Sequence, residues 1–299
     1  MMFKESHPNY FYNKNKERIF YTTNFPAEDI PKDKPLLVFN YGLVCSNAHW
    51  EKQLPFFDKL GFPILIHDYR GHYSSSSYKN LKDISFKSYA DDIKQLIDQL
   101  GGEEIIMFGH SMGVNVTLEF ARLYPENLKG IIVISGTVLP PQDVMFDSNI
   151  VSVVMPFVEW LFKNYPGVSQ KLWSSSFLNP LALRAIHRGG FNHKYVPIEF
   201  IQVYLKRVGL LPPEVFLHLM RQMRDHDIVN DLEKLCVPTL IIGGDKDKVI
   251  PNYLQQILHK YIPNSELYIL KDGSHVPQHD YPQNINKRSS KFIQNRIDS

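Results

Sequence analysis

Short, almost entirely apolar segments recur along the chain, and each is too short and too continuously apolar to be a surface helix. They lie at residues 36–40, 64–67, 105–108, 131–134, 240–242 and 267–270. Near the start, residues 9–12 and 18–22 flank a polar turn, which is typical of a β-hairpin. The pattern therefore predicts an opening hairpin followed by six buried strands.

Helical patterns lie between these strands. One apolar stripe repeats at helical spacing at Tyr89, Ile93, Leu96, Ile97 and Leu100. Ser85 precedes this stripe as a plausible N-cap, and Gly101 and Gly102 end it. Strands that alternate with helices predict an α/β fold whose sheet is mostly parallel, doubly wound and covered on both faces.

The alternation stops after Thr137 and resumes near Leu235, and the stretch between them contains eight prolines and no convincing strand. We predict that residues 138–231 form a helical cap over the carboxyl edge of the sheet, inserted into a core of residues 1–137 and 232–299. Three helical stripes in this stretch are expected mostly to pack cap against core. They are Val154, Phe157, Val158 and Leu161; Ile198, Ile201, Leu205 and Val208; and Phe216, Leu219, Met220 and Met223.

One pentapeptide contains a candidate catalytic residue. It is Gly-His-Ser-Met-Gly at residues 109–113, which follows the strand at 105–108 and precedes an amphipathic stretch. In a G-x-S-x-G elbow the serine occupies a sharp strand-to-helix turn, where a base and a substrate can both reach its hydroxyl. Such a pentapeptide is informative only in this strand-to-helix context. The sequence therefore predicts Ser111 as a nucleophile.

An acid and a histidine follow Ser111 in the order that this elbow requires. Asp245 and Asp247 come just after the strand at 240–242, and His275 comes just after the strand at 267–270. In open α/β sheets, ligands bind outside the carboxyl ends of the strands. The order Ser, Asp, His matches the α/β-hydrolase order of triad residues.

At these residues the chain resembles the α/β-hydrolase superfamily, and the resemblance covers nearly its whole length. Asp247 matches the family acid in the G-D-x-D pattern, and His275 matches the family histidine in G-S-H. The resemblance thus implies the triad Ser111, Asp247 and His275. Asp245 stays open as the alternative acid, since turns after strands favour aspartate for local hydrogen bonding.

Two further segments resemble the family but depart from its usual pattern. Residues 68–74 resemble the D-x-R-G-x-G-x-S segment, with Tyr73 where a glycine is usual. Residues 40–43 resemble the loop that supplies half of the oxyanion hole, with Tyr41 where a histidine is usual. The main chain of Leu43 is unaffected by that substitution, so the departure concerns the shape of the loop more than its chemistry.

These residue types imply acyl transfer. His275 would accept the proton of Ser111 during attack and return it to the leaving group, while Asp247 fixes the imidazole tautomer. The backbone N–H groups of Leu43 and Met112 are the expected donors to the oxyanion. A covalent acyl-enzyme would form on the serine.

The elbow is similar to that of monoacylglycerol lipases and related carboxylesterases, which implies hydrolysis of carboxylic esters with an apolar acyl or alcohol part. Met, Phe, Trp and Val are abundant in the cap region, which favours an apolar pocket. Carbon–carbon bond hydrolases, thioesterases and cofactor-free perhydrolases use the same triad and stay open as alternatives. A non-catalytic ligand-binding protein on the same scaffold is another.

Related branches of the superfamily fit less well. Epoxide hydrolases and haloalkane dehalogenases place aspartate at the position of Ser111. The prolyl aminopeptidase branch usually has Trp-Gly-Gly after its serine, whereas this chain has Met-Gly-Val at 112–114. Interfacial activation, with residues 150–162 lying on lipid, is a further hypothesis, although Pro156 and Glu159 interrupt that stretch.

Composition narrows the partners. With 33 Lys and Arg against 31 Asp and Glu in 299 residues, the net charge of +2 gives no reason to expect a nucleic-acid partner. Two cysteines, Cys45 and Cys236, suit a reducing compartment, and the first thirty residues show no apolar signal region. We expect a cytoplasmic enzyme without stable membrane insertion. The motifs imply no metal or organic cofactor, and the oligomeric state is left open.

Overall fold

The structure is organised around a single sheet. The computed structural model describes residues 5–296 apart from 44, 77, 176–178, 181–182, 185–186, 188–190 and 193. Within these residues the strands are β1 (His7–Tyr12), β2 (Arg18–Thr23), β3 (Leu36–Asn40), β4 (Ile64–His67), β5 (Ile105–His110), β6 (Leu128–Ile134), β7 (Thr239–Gly244) and β8 (Ser265–Leu270). The predicted hairpin and the six predicted strands are all confirmed, with small shifts at their ends.

Helices connect and cover these strands. They are α1 (Leu54–Lys59), α2 (Phe86–Gln99), α3 (Met112–Leu123), α4 (Ile150–Asn164), α5 (Pro166–Ser174), α6 (Ile198–Leu210), α7 (Pro213–Asp225), α8 (Val229–Leu232), α9 (Asn252–Tyr261), α10 (Pro277–Asp280) and α11 (Pro282–Arg296). Short 3₁₀ turns lie at Ala27–Asp29, Asn47–Trp50, Leu81–Asp83, Pro125–Asn127 and Met145–Asp147. The predicted N-cap of α2 is confirmed, because the Ser85 hydroxyl accepts the Ser88 N–H at 3.1 Å.

The eight strands follow the order β1-β2-β4-β3-β5-β6-β7-β8. The hairpin strands β1 and β2 pair antiparallel with each other, β2 pairs antiparallel with β4, and every other neighbouring pair is parallel. In the register of β5 and β6, His110 lies opposite Ile134, so β5 runs two residues beyond its predicted end. The predicted mostly parallel α/β sheet is thereby confirmed.

Both faces of the sheet are buried, because successive side chains of a strand point to opposite faces. Leu36 and Val38 of β3 belong to the apolar cluster that includes α2 and α3. Leu37 and Phe39 belong to the opposite cluster, which includes α1 and α11. This explains why the strands read as continuous apolar runs instead of alternating ones. The central strands therefore form a buried base for the carboxyl edge of the sheet.

The alternation of strands and helices is interrupted between β6 and β7 by helices α4 to α8. The stripes predicted on α6 and α7 are largely buried, with Ile201 and Leu219 wholly enclosed. The stripe predicted on α4 is wrong for two of its residues, since Val154 and Phe157 are 44% and 62% exposed. Helix α4 instead turns Val151 towards the interior. The boundaries of the cap at 138 and 231 stay a prediction.

Helix α4 continues through a proline and exposes apolar side chains. Pro156 lies inside the helix and does not end it. Its outer side carries exposed apolar residues, Val153, Phe157 and Trp160 among them. In the described part of the chain, no helix is both long enough and apolar enough to cross a membrane.

A buried ion cluster fastens the hairpin to α2. The Arg70 guanidinium donates to the Asp92 carboxylate at 2.7 Å through Nε, and its Nη1 lies 3.1 Å from the Glu17 carboxylate. All three side chains are 4–6% exposed. Burying charges is tolerated only when each is paired, so the cluster depends on Arg70 to neutralise two carboxylates at once.

Arg70→Met should therefore destabilise the fold by about 3 to 5 kcal/mol, since it leaves Glu17 and Asp92 buried without their cation. Chemical denaturation measures this loss. Lys87→Met is the matched control, because Lys87 pairs with Asp91 at an exposed site and is worth less than about 0.5 kcal/mol. Equal effects of the two substitutions would show that the Arg70 cluster does not hold the hairpin.

Candidate active site

The nucleophile candidate lies on a strained turn. Strand β5 ends at His110, helix α3 begins at Met112, and Ser111 between them has φ 54° and ψ −123°. A positive φ is unusual for a residue with a Cβ, and such strain concentrates at functional sites. Gly113 allows the turn to close, because a Cβ there would overlap the Asn40 carbonyl oxygen. The predicted elbow is thus present in its strand-to-helix context.

Ser111, His275 and Asp247 form one hydrogen-bonded chain. His275 Nε2 lies 3.1 Å from the Ser111 hydroxyl oxygen, and His275 Nδ1 lies 3.0 Å from Asp247 Oδ2. A carboxylate can only accept, so Nδ1 carries the imidazole hydrogen and Nε2 offers its lone pair to the serine. This is the tautomer that a general base for the serine requires.

Asp247 is held on its other side by the backbone. Its Oδ1 accepts the N–H groups of Val249 and Ile250 at 2.9 Å each. Its side chain is 0% exposed, whereas that of Asp245 is 31% exposed and lies 4.0 Å from the Lys246 ammonium. The carboxylate that contacts His275 is therefore that of Asp247, whereas Asp245 is exposed beside Lys246.

Two backbone N–H groups near Ser111 match the predicted oxyanion donors. Met112 is the first residue of α3, and the first N–H groups of a helix have no partner within the helix. The loop that carries Leu43 lies against the nucleophile, because a Cβ on Gly42 would stand 2.8 Å from Ser111 Cβ. The roles of both donors stay a prediction.

The unusual Tyr41 turns into the protein. Its side chain is 0% exposed, and its hydroxyl oxygen accepts the Tyr69 N–H at 3.2 Å. Its carbonyl oxygen accepts the Tyr69 hydroxyl at 3.0 Å, and its own hydroxyl faces Asp68 Oδ1 at 3.4 Å. Tyr41 therefore anchors the start of the oxyanion loop, and its buried side chain does not occupy the side of the loop that faces Ser111.

A cavity of about 520 Å³ opens above Ser111. Its wall combines loop residues of the core with side chains of the helical insertion, and most of these are apolar. They are Leu43, Cys45, His49, His110, Ser111, Pro141, Met145, Phe146, Val151, Met155, Phe191, Tyr204, Phe216, Met220, Met223, Val249, Ile250, His275 and Val276. Its size is within the usual range of small-molecule sites, about 300–1,000 Å³.

Two further histidines line this cavity. The His110 Nε2 lies 2.9 Å from the His275 carbonyl oxygen, and the His49 ring lies 5.9 Å from that of His110. Burial lowers the pKa of His49 and of His110 well below the ordinary value, so both rings are neutral. His110 belongs to the elbow motif, whereas the sequence gives no signal for His49, because only the fold brings the turn at Asn47–Trp50 to the elbow.

A buried carboxyl lies close to the triad. Asp280 Oδ2 accepts the Ser274 N–H at 2.6 Å, beside the catalytic histidine candidate. Burial raises the pKa of Asp280 to about 6, with the negative charge of Asp247 adding to the shift. Among the described residues, no group of three or more His, Cys, Asp or Glu side chains could hold a metal ion.

Comparison with known proteins shows which families the chain resembles. The α/β-hydrolase fold model matches residues 35–179. A bifunctional esterase/perhydrolase of Acinetobacter calcoaceticus is 28% identical over 227 residues, which cover 74% of this chain and 77% of that protein. A proline iminopeptidase of Saccharolobus solfataricus is 27% identical over 228 residues, which cover 72% and 71%.

A solved structure shows the same fold over nearly the whole chain. The esterase of Exiguobacterium antarcticum superposes with a TM-score of 0.75 and 18% identity, covering 96% of this chain and 100% of the esterase. At this identity the likeness concerns the fold alone. Together with the matching family model and the eight-stranded sheet, it shows that the chain has the α/β-hydrolase fold.

Proposed function

We propose that this protein hydrolyses carboxylic esters through an acyl-enzyme on Ser111. The observation that carries the proposal is the hydrogen-bonded chain from Ser111 through His275 to Asp247, at the floor of an apolar cavity. Serine is a weak nucleophile by itself, and an adjacent imidazole held in the right tautomer is what activates it. A purely structural role would not require the strained φ of Ser111.

The reaction follows from the roles of these groups. Ser111 Oγ attacks the ester carbonyl carbon while His275 Nε2 takes the hydroxyl proton. The carbonyl oxygen becomes an oxyanion, which the N–H groups of Leu43 and Met112 stabilise. The tetrahedral intermediate then collapses and expels the alcohol, which receives the proton from His275. Water repeats the sequence on the acyl-enzyme and releases the acid.

Asp247 supports this reaction without exchanging a proton. Its carboxylate holds the Nδ1 hydrogen of His275 and stabilises the imidazolium that forms during attack. Its Oδ1 is fixed by the Val249 and Ile250 N–H groups, so the carboxylate cannot rotate away. The imidazole therefore stays aimed at the serine.

The substrate class follows from the cavity wall. Apolar side chains from the proposed cap at 138–231, such as Met155, Phe216 and Met223, face Ser111 across the cavity. Burial of an apolar acyl or alcohol part contributes about 0.8 kcal/mol per methylene group. A volume of about 520 Å³ suits a small or medium chain. We therefore infer esters with an apolar portion as substrates.

Perhydrolysis is the second candidate function, favoured by the esterase/perhydrolase relative. The acyl-enzyme formed on Ser111 can be opened by hydrogen peroxide as well as by water, with a peracid as the product. This reaction uses the same residues and the same donors, so it is an extension of the proposal.

Asp247→Asn should lower kcat by about ten-thousandfold, because an amide favours the wrong tautomer of His275, as the equivalent change does in serine proteases. Asp245→Asn is the matched control and should change kcat less than about threefold, since its side chain is partly exposed and does not contact His275. Steady-state hydrolysis of p-nitrophenyl butanoate measures both. The reverse ranking would transfer the role of the acid to Asp245.

Lengthening the acyl chain of p-nitrophenyl esters from acetate should raise kcat/KM by up to about fourfold per methylene group, as each one enters the apolar cavity. The gain should stop where the chain fills the cavity. Ser111→Ala provides the background, because it keeps the cavity and removes the nucleophile. Hydrolysis of no ester above that background would exclude the proposed function, and acetate as the best substrate would exclude the apolar substrate class.

A further inference from the structure

The two residues that depart from the family pattern face each other beneath the oxyanion loop. The Tyr41 and Tyr73 rings lie 6.2 Å apart. Tyr73 also has a positive φ of 37°, in the region that favours glycine. A bulky residue in that conformation is strained, and the strain is tolerated only where the surrounding structure holds it in place. A glycine would adopt this conformation without strain, so the side chain of Tyr73 must make contacts that hold it there.

The Tyr73 hydroxyl makes one such contact, a hydrogen bond to the main chain. It donates to the Cys45 carbonyl oxygen at 2.6 Å. The Cys45 N–H in turn donates to the Gly42 carbonyl at 3.1 Å and closes the turn that contains Leu43. Tyr73 thus holds the far end of the same loop whose near end is anchored by Tyr41.

The ring of Tyr73 is itself held in place. The Arg207 guanidinium of α6 lies over it, 5.3 Å from the ring centroid. Burial raises the pKa of the Tyr73 phenol above its ordinary value, so the hydroxyl keeps its proton and remains a donor at every working pH. Tyr73 does not line the cavity, so its influence on the reaction must pass through the groups that it contacts, and its hydroxyl contacts the loop at Cys45.

We propose that Tyr73 is a positioning residue for the oxyanion hole, which it fixes by holding the Cys45 carbonyl and with it the turn that presents the Leu43 N–H. The inference rests on the proposed function, since Leu43 is there an oxyanion donor. A correctly placed donor acts mainly in the transition state, where the charge on the oxygen is greatest. Loss of Tyr73's hydroxyl must therefore reduce reaction rates more than substrate binding.

Tyr73→Phe is the direct test, because it keeps the ring and removes only the donor. Losing an oxyanion donor costs about a hundredfold or more in rate, and a loosened donor should cost at least about tenfold. We expect that loss in kcat for p-nitrophenyl butanoate with KM changed less than about twofold. The rate of labelling by a fluorophosphonate should fall by a similar factor, since its phosphoryl oxygen occupies the same hole. The melting temperature should stay close to that of the wild type.

Tyr78→Phe is the matched control. The Tyr78 hydroxyl donates to Glu214 of α7 at 2.7 Å. Tyr78→Phe therefore also removes one tyrosine hydrogen bond, but this bond joins the helical insertion and does not involve the oxyanion loop. It should leave labelling and kcat within about twofold of the wild type. Tyr73→Gly, which suits the backbone conformation, should still lose at least about tenfold.

The outcomes separate this inference from the proposal beneath it. Labelling of Tyr73→Phe at the wild-type rate, or a change in KM alone, would overturn the positioning role. Equal losses in Tyr73→Phe and Tyr78→Phe would also overturn it, because the effect would then belong to the docking of the insertion. Wild-type protein that is labelled no faster than Ser111→Ala would instead contradict the proposed function.

Discussion

The backbone conformation of Ser111 is the constraint on which the site depends. A residue with a Cβ is held at a positive φ between β5 and α3, and the surrounding chain leaves it little alternative. The Ser111 N–H donates to the Ile134 carbonyl of β6 at 3.0 Å, and the Asn40 carbonyl of β3 packs against Gly113. The buried neighbouring strands β3 and β6 thus fix the turn that presents the hydroxyl, and every other site residue is placed relative to it.

The second principle of the site is the pairing of buried polar groups. Asp247 is wholly buried, but each of its oxygens accepts a hydrogen bond, which is the condition for retaining a buried carboxylate. The imidazoles of His49 and His110 are neutral because burial disfavours their charged forms. An apolar cavity wall lowers the local dielectric, and fixed donors then act more strongly on a developing charge than they would in water.

Much of this arrangement could be predicted from the sequence, because its signals are local. The apolar runs of the parallel strands, the N-cap at Ser85 and the elbow around Ser111 each depend on a few neighbouring residues. The family pattern favours Asp247 over Asp245, but both residues follow β7, and only the structure shows which carboxylate contacts His275. The predicted burial of Val154 and Phe157 was wrong. Helix α4 has apolar residues on both sides, so its periodicity does not decide which side faces inward.

Contacts between distant segments that no motif connects could not be predicted from the sequence. His49 reaches the cavity only because the turn after β3 folds beside the elbow, and no pattern around it predicts this. Tyr41 and Tyr73 are 32 positions apart, and as isolated departures from a family pattern they had no evident connection. The fold places both against one loop. The Tyr41 carbonyl and the Tyr73 hydroxyl each make a hydrogen bond that holds one end of this loop.

The central claim is that Ser111 is a nucleophile activated by His275. The most direct measurement is mass spectrometry of the protein after brief exposure to a fluorophosphonate, with the modified peptide sequenced. We expect a single phosphonyl adduct on Ser111, whose formation is abolished by His275→Ala although the serine is still present. Absence of the adduct, its formation on another residue, or undiminished labelling of His275→Ala would contradict the proposed function.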